Sequence, residues 1–135
     1  MKFKTLTGSE KRVSKPKKYL ISWDQESKSK IQFAAKQFLK EYWENHVVFE
    51  EFPIAGTRLS FDFYNANKKI AVEVQGAQHT KYVPFFHGRK SQFVSQLRRD
   101  QQKIDFCALN DINLVEIFHD EKINKKIFEK NGVNL

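Results

Sequence analysis

Phe61 and Phe63 alternate with Asp62, and Ile70, Val72 and Val74 alternate with Ala71, Glu73 and Gln75. A period of two predicts two β-strands, because successive strand side chains point to opposite faces. Asn65-Ala66-Asn67-Lys68 between them has the composition of a turn, so the pair reads as a hairpin. Stacking the Phe pair on the Ile/Val set gathers Asp62, Glu73 and Gln75 on the opposite, polar face. A slip of one residue would bury the acids, so the apolar pattern predicts this register.

Helical spacing appears on either side. Ser29-Lys30-Ile31-Gln32 fits a capping box, with Gln32 reaching back. Ile31, Ala34, Ala35, Phe38, Leu39 and Tyr42 then predict an inward face ending near Asn45, with Lys28, Lys36 and Lys40 elsewhere. Val47 to Phe49 opens a strand that closes near Pro53. Residues 76 to 90 read as a loop with Tyr82, Phe85 and Phe86, which cap the core or stack on nucleic acid. A second helix runs from Ser91 to Leu109 with Phe93, Leu97, Ile104 and Ala108 inward. Asn113 to Phe118 is a strand, and Ile123, Ile127 and Phe128 mark a last helix. The order α-β-β-β-α-β makes the second helix a crossover to a parallel fourth strand. The predicted fold is α/β, a mixed central β-sheet flanked by helices.

At 135 residues the chain is expected to form one domain, residues 19–135, behind a basic stretch, residues 1–18. In that stretch seven Lys and Arg, among them Lys15, Lys17 and Lys18, face only Glu10. It reads either as an arm along phosphates or as a disordered tail. A net charge of +8 favours a polyanionic partner. The single cysteine, Cys107, excludes an internal disulfide and lacks zinc-finger spacing. No apolar leader or membrane-length run is visible, so the expectation is a cytoplasmic protein with no membrane partner, in a bacterial or phage-infected cell.

Two carboxylates and an amide converging in a basic chain point to a divalent-metal site facing a polyanion. Phosphodiester hydrolysis needs an activated water and neutralisation of charge on the phosphate, which Mg²⁺ or Mn²⁺ supplies. Asp62 and Glu73 are the expected ligands, and Gln75 is placed to orient water or touch the phosphate. The alternative is a solvated strand face bearing ordinary acids. His79 has a pKa suited to acid–base work or phosphate contact, and Gln78 beside it is a candidate DNA contact. On the second helix, Gln96, Arg99 and Lys103 share a face and, with Arg98, are candidates for gripping phosphates. Glu50 and Glu51 reach the site or sit on a strand edge.

These motifs resemble the PD-(D/E)xK, restriction-endonuclease-like nucleases, in particular the branch of very-short-patch-repair and phage homing endonucleases. The resemblance covers roughly residues 27 to 120. It rests on Phe52-Pro53-Ile54, Asp62-Phe63, Val72-Glu73-Val74-Gln75-Gly76-Ala77-Gln78-His79, Arg99-Asp100-Gln101-Gln102-Lys103 and Leu114-Val115-Glu116-Ile117. It implies a restriction-endonuclease-like core, Asp62 and Glu73 as metal ligands, and catalytic support from His79 and Lys103. Gln75 stands where such nucleases usually carry lysine, and Lys103 is placed to supply that charge. Gln32 stands where they often carry a glutamate.

The expected function is a Mg²⁺-dependent DNA endonuclease of homing, nicking or repair type, working as a homodimer where both strands are cut. The alternatives are a resolvase of branched DNA, an RNA-directed nuclease, and a non-catalytic nucleic-acid-binding module.

Overall fold

The computed structural model describes residues 1–76 and 90–135. A small antiparallel hairpin, β1 (Lys2–Lys4) and β2 (Glu10–Arg12), leads through a 3-10 turn at Pro16–Tyr19 into α1 (Lys30–Trp43). Strands β3 (Val48–Pro53), β4 (Ser60–Asn65) and β5 (Ile70–Gln75) form an antiparallel meander. Helix α2 (Lys90–Leu109) precedes β6 (Asn113–Phe118), which pairs parallel to β5, and α3 (Lys125–Lys130) follows. The sheet order is β3-β4-β5-β6, the mixed sheet expected from the element order.

Helices cover both faces. Ala35, Leu39 and Trp43 of α1 and Ile127 and Phe128 of α3 pack with Phe63, Val72, Val115 and Ile117. On the other face Phe106 and Cys107 of α2 join Phe52, Phe61, Tyr64 and Ala71. Burying a side chain such as Phe106 contributes about 1.5–3 kcal/mol.

Helix α1 keeps Ala35 and Leu39 inward as expected, with Phe38 and Tyr42 packed on the core, but adds polar residues to that face, whereas α2 is rotated from the expected orientation. On α1, Gln32 and Lys36 are buried while Ala34 is exposed. Ser29 caps the helix by accepting from the Gln32 N–H, but the Gln32 amide turns to β3 instead of closing a capping box. On α2 the expected inward residues Leu97 and Ile104 are 47% and 42% exposed, and Ala108 is exposed too. The face turned inward holds Gln96, Asp100 and Lys103 ahead of Phe106 and Cys107. Hydropathy assigns polar residues outward, and here they serve the interior of a polar site.

Residues 1–18 also differ from the arm or tail suggested by composition. Phe3 and Val13 are buried in the core, and Phe3 meets the rings of Phe52, Tyr64 and Phe106. Asn110, just past α2, accepts from the Lys4 N–H at 2.8 Å and donates to the Lys4 carbonyl at 3.0 Å. Three-residue strands, one with a single inward side chain and the other with none, carry no readable periodicity. Gly56, at φ +83, lets the β3–β4 turn pass under Thr5, whose Cγ2 would lie 3.0 Å from an added Cβ.

Candidate active site

The site begins where strict alternation fails. Glu51 adopts a left-handed conformation, φ 53, in the middle of β3. The pairing of β3 with β4 runs Glu50↔Phe63 and Phe52↔Phe61 on either side of it. As a result Glu50 and Glu51 both turn toward α1, where Gln32 Nε2 donates to Glu50 at 2.8 Å and to Glu51 at 3.1 Å. On β4, Phe61 and Phe63 fall into different clusters, correcting the expectation that they share a face. Asp62 lies between them.

Pairing of β4 with β5 is recorded through Phe63↔Val72. At the next position the Asp62 side chain takes over, with Oδ2 accepting from the Val74 N–H at 2.8 Å. Asp62 and Glu73 therefore do meet, but as buried groups, 5% and 4% exposed, and not on the solvated face read from the alternation. Both acids lie within their strands, Asp62 inside β4 and Glu73 inside β5, with Lys28 ahead of α1 on one and Lys103 of α2 on the other.

Each carboxylate has its own lysine. Asp62 Oδ1 is 3.3 Å from Lys28 Nζ, which also reaches Glu51 Oε1 at 3.3 Å. Glu73 Oε1 is 2.5 Å from Lys103 Nζ, projected from α2. Burial pushes the Glu73 carboxyl well above the usual carboxylate range, the charge of Asp62 pushes it further, and Lys103 pulls it partly back. Partial burial opposes the charge on Lys28, yet Asp62 and Glu51 outweigh it and raise its pKa.

Gln75 is also buried. It hydrogen-bonds Glu116, the residue level with Glu73 on β6, and so opposes the rise that burial and Asp100 impose on that carboxyl. Glu116 was not singled out in the sequence, although its register opposite Glu73 follows once β6 is parallel. Beside it, Arg99 donates to Gln96 at 3.0 Å and Gln96 to Asp100 at 3.2 Å. Arg98 is exposed on the outer side of α2, on a different face from Lys103. Cys107 lies beneath Glu73. Burial and then the Glu73 charge push its thiol up to about 12, which removes it as a nucleophile. Gln78, His79, Tyr82, Phe85 and Phe86 lie outside the described residues.

A second polar layer supports the first. Lys36, 1% exposed, donates to the carbonyls of Ser22 and Gln25 at 3.0 and 2.8 Å and pairs with Glu50 at 2.6 Å. Ser27 Oγ donates to Glu50 at 2.6 Å. Lys28, Lys36, Glu50 and Glu51 line a groove of about 270 Å³ together with Lys18 and Tyr19. Lys18 and Tyr19 also border a neighbouring groove of about 250 Å³ with Lys11, Arg12 and Thr57. The two grooves share the Lys18–Tyr19 ridge, where Lys18 Nζ lies 5.1 Å from the ring centroid. Lys15 and Lys17 are exposed on the same turn. No described carboxylate pairs with Lys11, Arg12, Lys15, Lys17 or Lys18.

Asp62 and Glu73 present hard oxygen donors suited to a divalent cation. Among the described residues no group of three His, Cys, Asp or Glu side chains forms a metal cage. Among them, too, no helix is long and apolar enough to cross a membrane.

No protein-family model matches the chain, and no solved structure matches it. Curated relatives are viral. Protein 307L of Invertebrate iridescent virus 6 is 41% identical over 44% of this chain and 30% of its own length. Protein 033L of Invertebrate iridescent virus 3 is 33% identical over 53% of this chain and 37% of its own. Protein 094L of Frog virus 3 is 38% identical over 48% of this chain and 43% of its own. All three are described only as uncharacterised, and the chain spans less than half the length of each. These relatives come from large DNA viruses, not from bacteria.

Proposed function

We propose that the chain is a metal-dependent endodeoxyribonuclease of the restriction-endonuclease-like, PD-(D/E)xK kind, cutting DNA in a homing, nicking or repair role. The observation that carries this reading is the meeting of two buried carboxylates, Asp62 of β4 and Glu73 of β5, with Lys103 on Glu73. Asp62 and Glu73 would hold Mg²⁺ or Mn²⁺ and leave its other positions to water, as hard cations with few carboxylate ligands do. Bound there, the ion supplies Lewis acidity and an activated water for phosphodiester hydrolysis. The donor set fits, because a cation relieves the burial and like-charge repulsion that hold Glu73 above the ordinary range.

The chain's own residues supply the rest. Lys103 brings a positive charge to Glu73 and is placed to meet charge developing on the phosphate, the task that neutral Gln75 cannot perform. Gln75, fixed by Glu116, offers its amide as an orienting hydrogen-bonding group. Lys18, Lys11 and Arg12 along the two grooves are positioned to take flanking phosphates.

A second reading is a nucleic-acid-binding module without chemistry. It is favoured by one observation: each carboxylate already holds a lysine, Lys28 or Lys103, so the site is charge-compensated without metal. The test is incubation of the wild type and Glu73→Ala with supercoiled plasmid, nicked duplex, four-way junction and single-stranded RNA, in Mg²⁺ or Mn²⁺. Cutting of DNA by the wild type alone supports the nuclease, and preference for the junction would make it a resolvase. Cutting of RNA alone would move the substrate. Binding without any cutting would establish the second reading.

A further inference from the structure

We propose that the outer face of α2 is a self-association surface, on which a second copy of this chain packs antiparallel. Helix α2 reverses the usual arrangement of an amphipathic helix. Its inward stripe ahead of Phe106 holds Gln96, Asp100 and Lys103, committed to the polar site, while its apolar stripe faces out. Among the described residues, seven large apolar side chains are exposed, and four of them, Val94, Leu97, Ile104 and Leu109, lie on this one helix. Val94, Leu97, Gln101, Ile104 and Ala108 recur at alternating steps of three and four, the spacing of a helix–helix seam. No described residue covers that seam, and contiguous exposed apolar surface marks a place where something docks.

The charges on its edge select a second copy as the occupant. Arg98 and Asp105 are seven residues apart on the same border of the stripe, with opposite signs, and both are exposed. A two-fold axis between Gln101 and Ile104 sets Leu97 of one copy against Ala108 of the other. It also sets Gln101 against Ile104, and Arg98 beside Asp105 twice over. The surface is thus complementary to itself in both shape and charge, as an isologous interface requires. A partner with a single sign of charge would meet repulsion at one end. Gln101, which donates to Asp105 at 2.9 Å, is the one polar residue in the seam, and such a residue fixes the register of a helix pair. The surface shares none of the carboxylate chemistry, so its self-association is independent of whether the chain cuts DNA.

The experiment is sedimentation velocity on the full chain across the micromolar range, without nucleic acid. The proteins are the wild type, Arg98→Glu, Asp105→Arg, the double exchange, and Leu97→Lys/Ile104→Lys. Circular dichroism melts confirm that each is folded, since all four positions are exposed. The wild type should dimerise, and each single reversal should weaken the dimer at least about tenfold by facing like charges. The double exchange should restore it, and the lysine pair should abolish it. A wild type that stays monomeric throughout overturns the proposal, as does a dimer indifferent to the single reversals or one that the double exchange fails to restore.

Discussion

Lys103 on α2 reaches across thirty residues of sequence to place its ammonium 2.5 Å from Glu73 Oε1 on β5. With Gln75 neutral, Lys103 and Lys28 are, among the described residues, the cations that touch the two central carboxylates. Lys103→Met should lower the cleavage rate about 10²-fold or more while changing DNA affinity only slightly, because the charge acts on the transition state. Adding Gln75→Lys to that variant should recover part of the loss from the strand side. Cleavage by Lys103→Met at the wild-type rate would remove the lysine from the chemistry.

The Asp62 carboxylate has two tasks that substitutions separate. Asparagine keeps an oxygen for the Val74 N–H, whereas alanine leaves that buried donor unpaired, at a cost of about 1–3 kcal/mol. Asp62→Asn should therefore melt near the wild type and Asp62→Ala clearly lower, with both inactive in metal-dependent cutting. An active Asp62→Asn would show that the residue is structural alone.

Glu73 predicts an unusual pH dependence for the metal-free protein. Its folded pKa is raised above the unfolded value of about 4.5 by burial and by Asp62. Its stabilising contribution is thus fully present below the unfolded value and lost as pH rises toward the folded one. In chelator, the wild type should lose stability relative to Glu73→Gln between about pH 5 and pH 8, and metal should reverse the trend in the wild type only. The difference between the two proteins cancels the groups they share. Parallel curves would mean that Lys103 already compensates the charge in full.

How far the site was legible depended on which residues made it. The order of elements, the β4–β5 hairpin and the parallel β6 followed from alternation and turn composition. The meeting of Asp62 with Glu73 followed too, although their burial did not, because the side chains that reach them, Lys28 and Lys103, are polar and carry no apolar pattern. The buried polar residues of α1 and the outward turn of the apolar stripe on α2 escaped the pattern for one reason. Lys36, Gln32 and Lys103 are polar yet turned in, and their partners, Glu50, Glu51 and Glu73, lie 14 to 30 residues away. Pairing at that range leaves no periodic trace.

That buried layer can itself be tested through Lys36. Its ammonium is almost wholly enclosed and satisfied by two carbonyls and Glu50. Lys36→Met leaves the half-buried Glu50 with Ser27 and Gln32 as its donors among the described residues, and breaking a buried pair costs about 3–5 kcal/mol. The double variant Lys36→Met/Glu50→Leu removes both charges and should regain much of that loss, because paired burial contributes little over apolar packing. Urea unfolding of the four proteins in the cycle measures the coupling. A single-variant cost below about 1 kcal/mol would mean that water reaches Glu50 and that Lys36 does not hold the α1–β3 junction against which Glu51 is set.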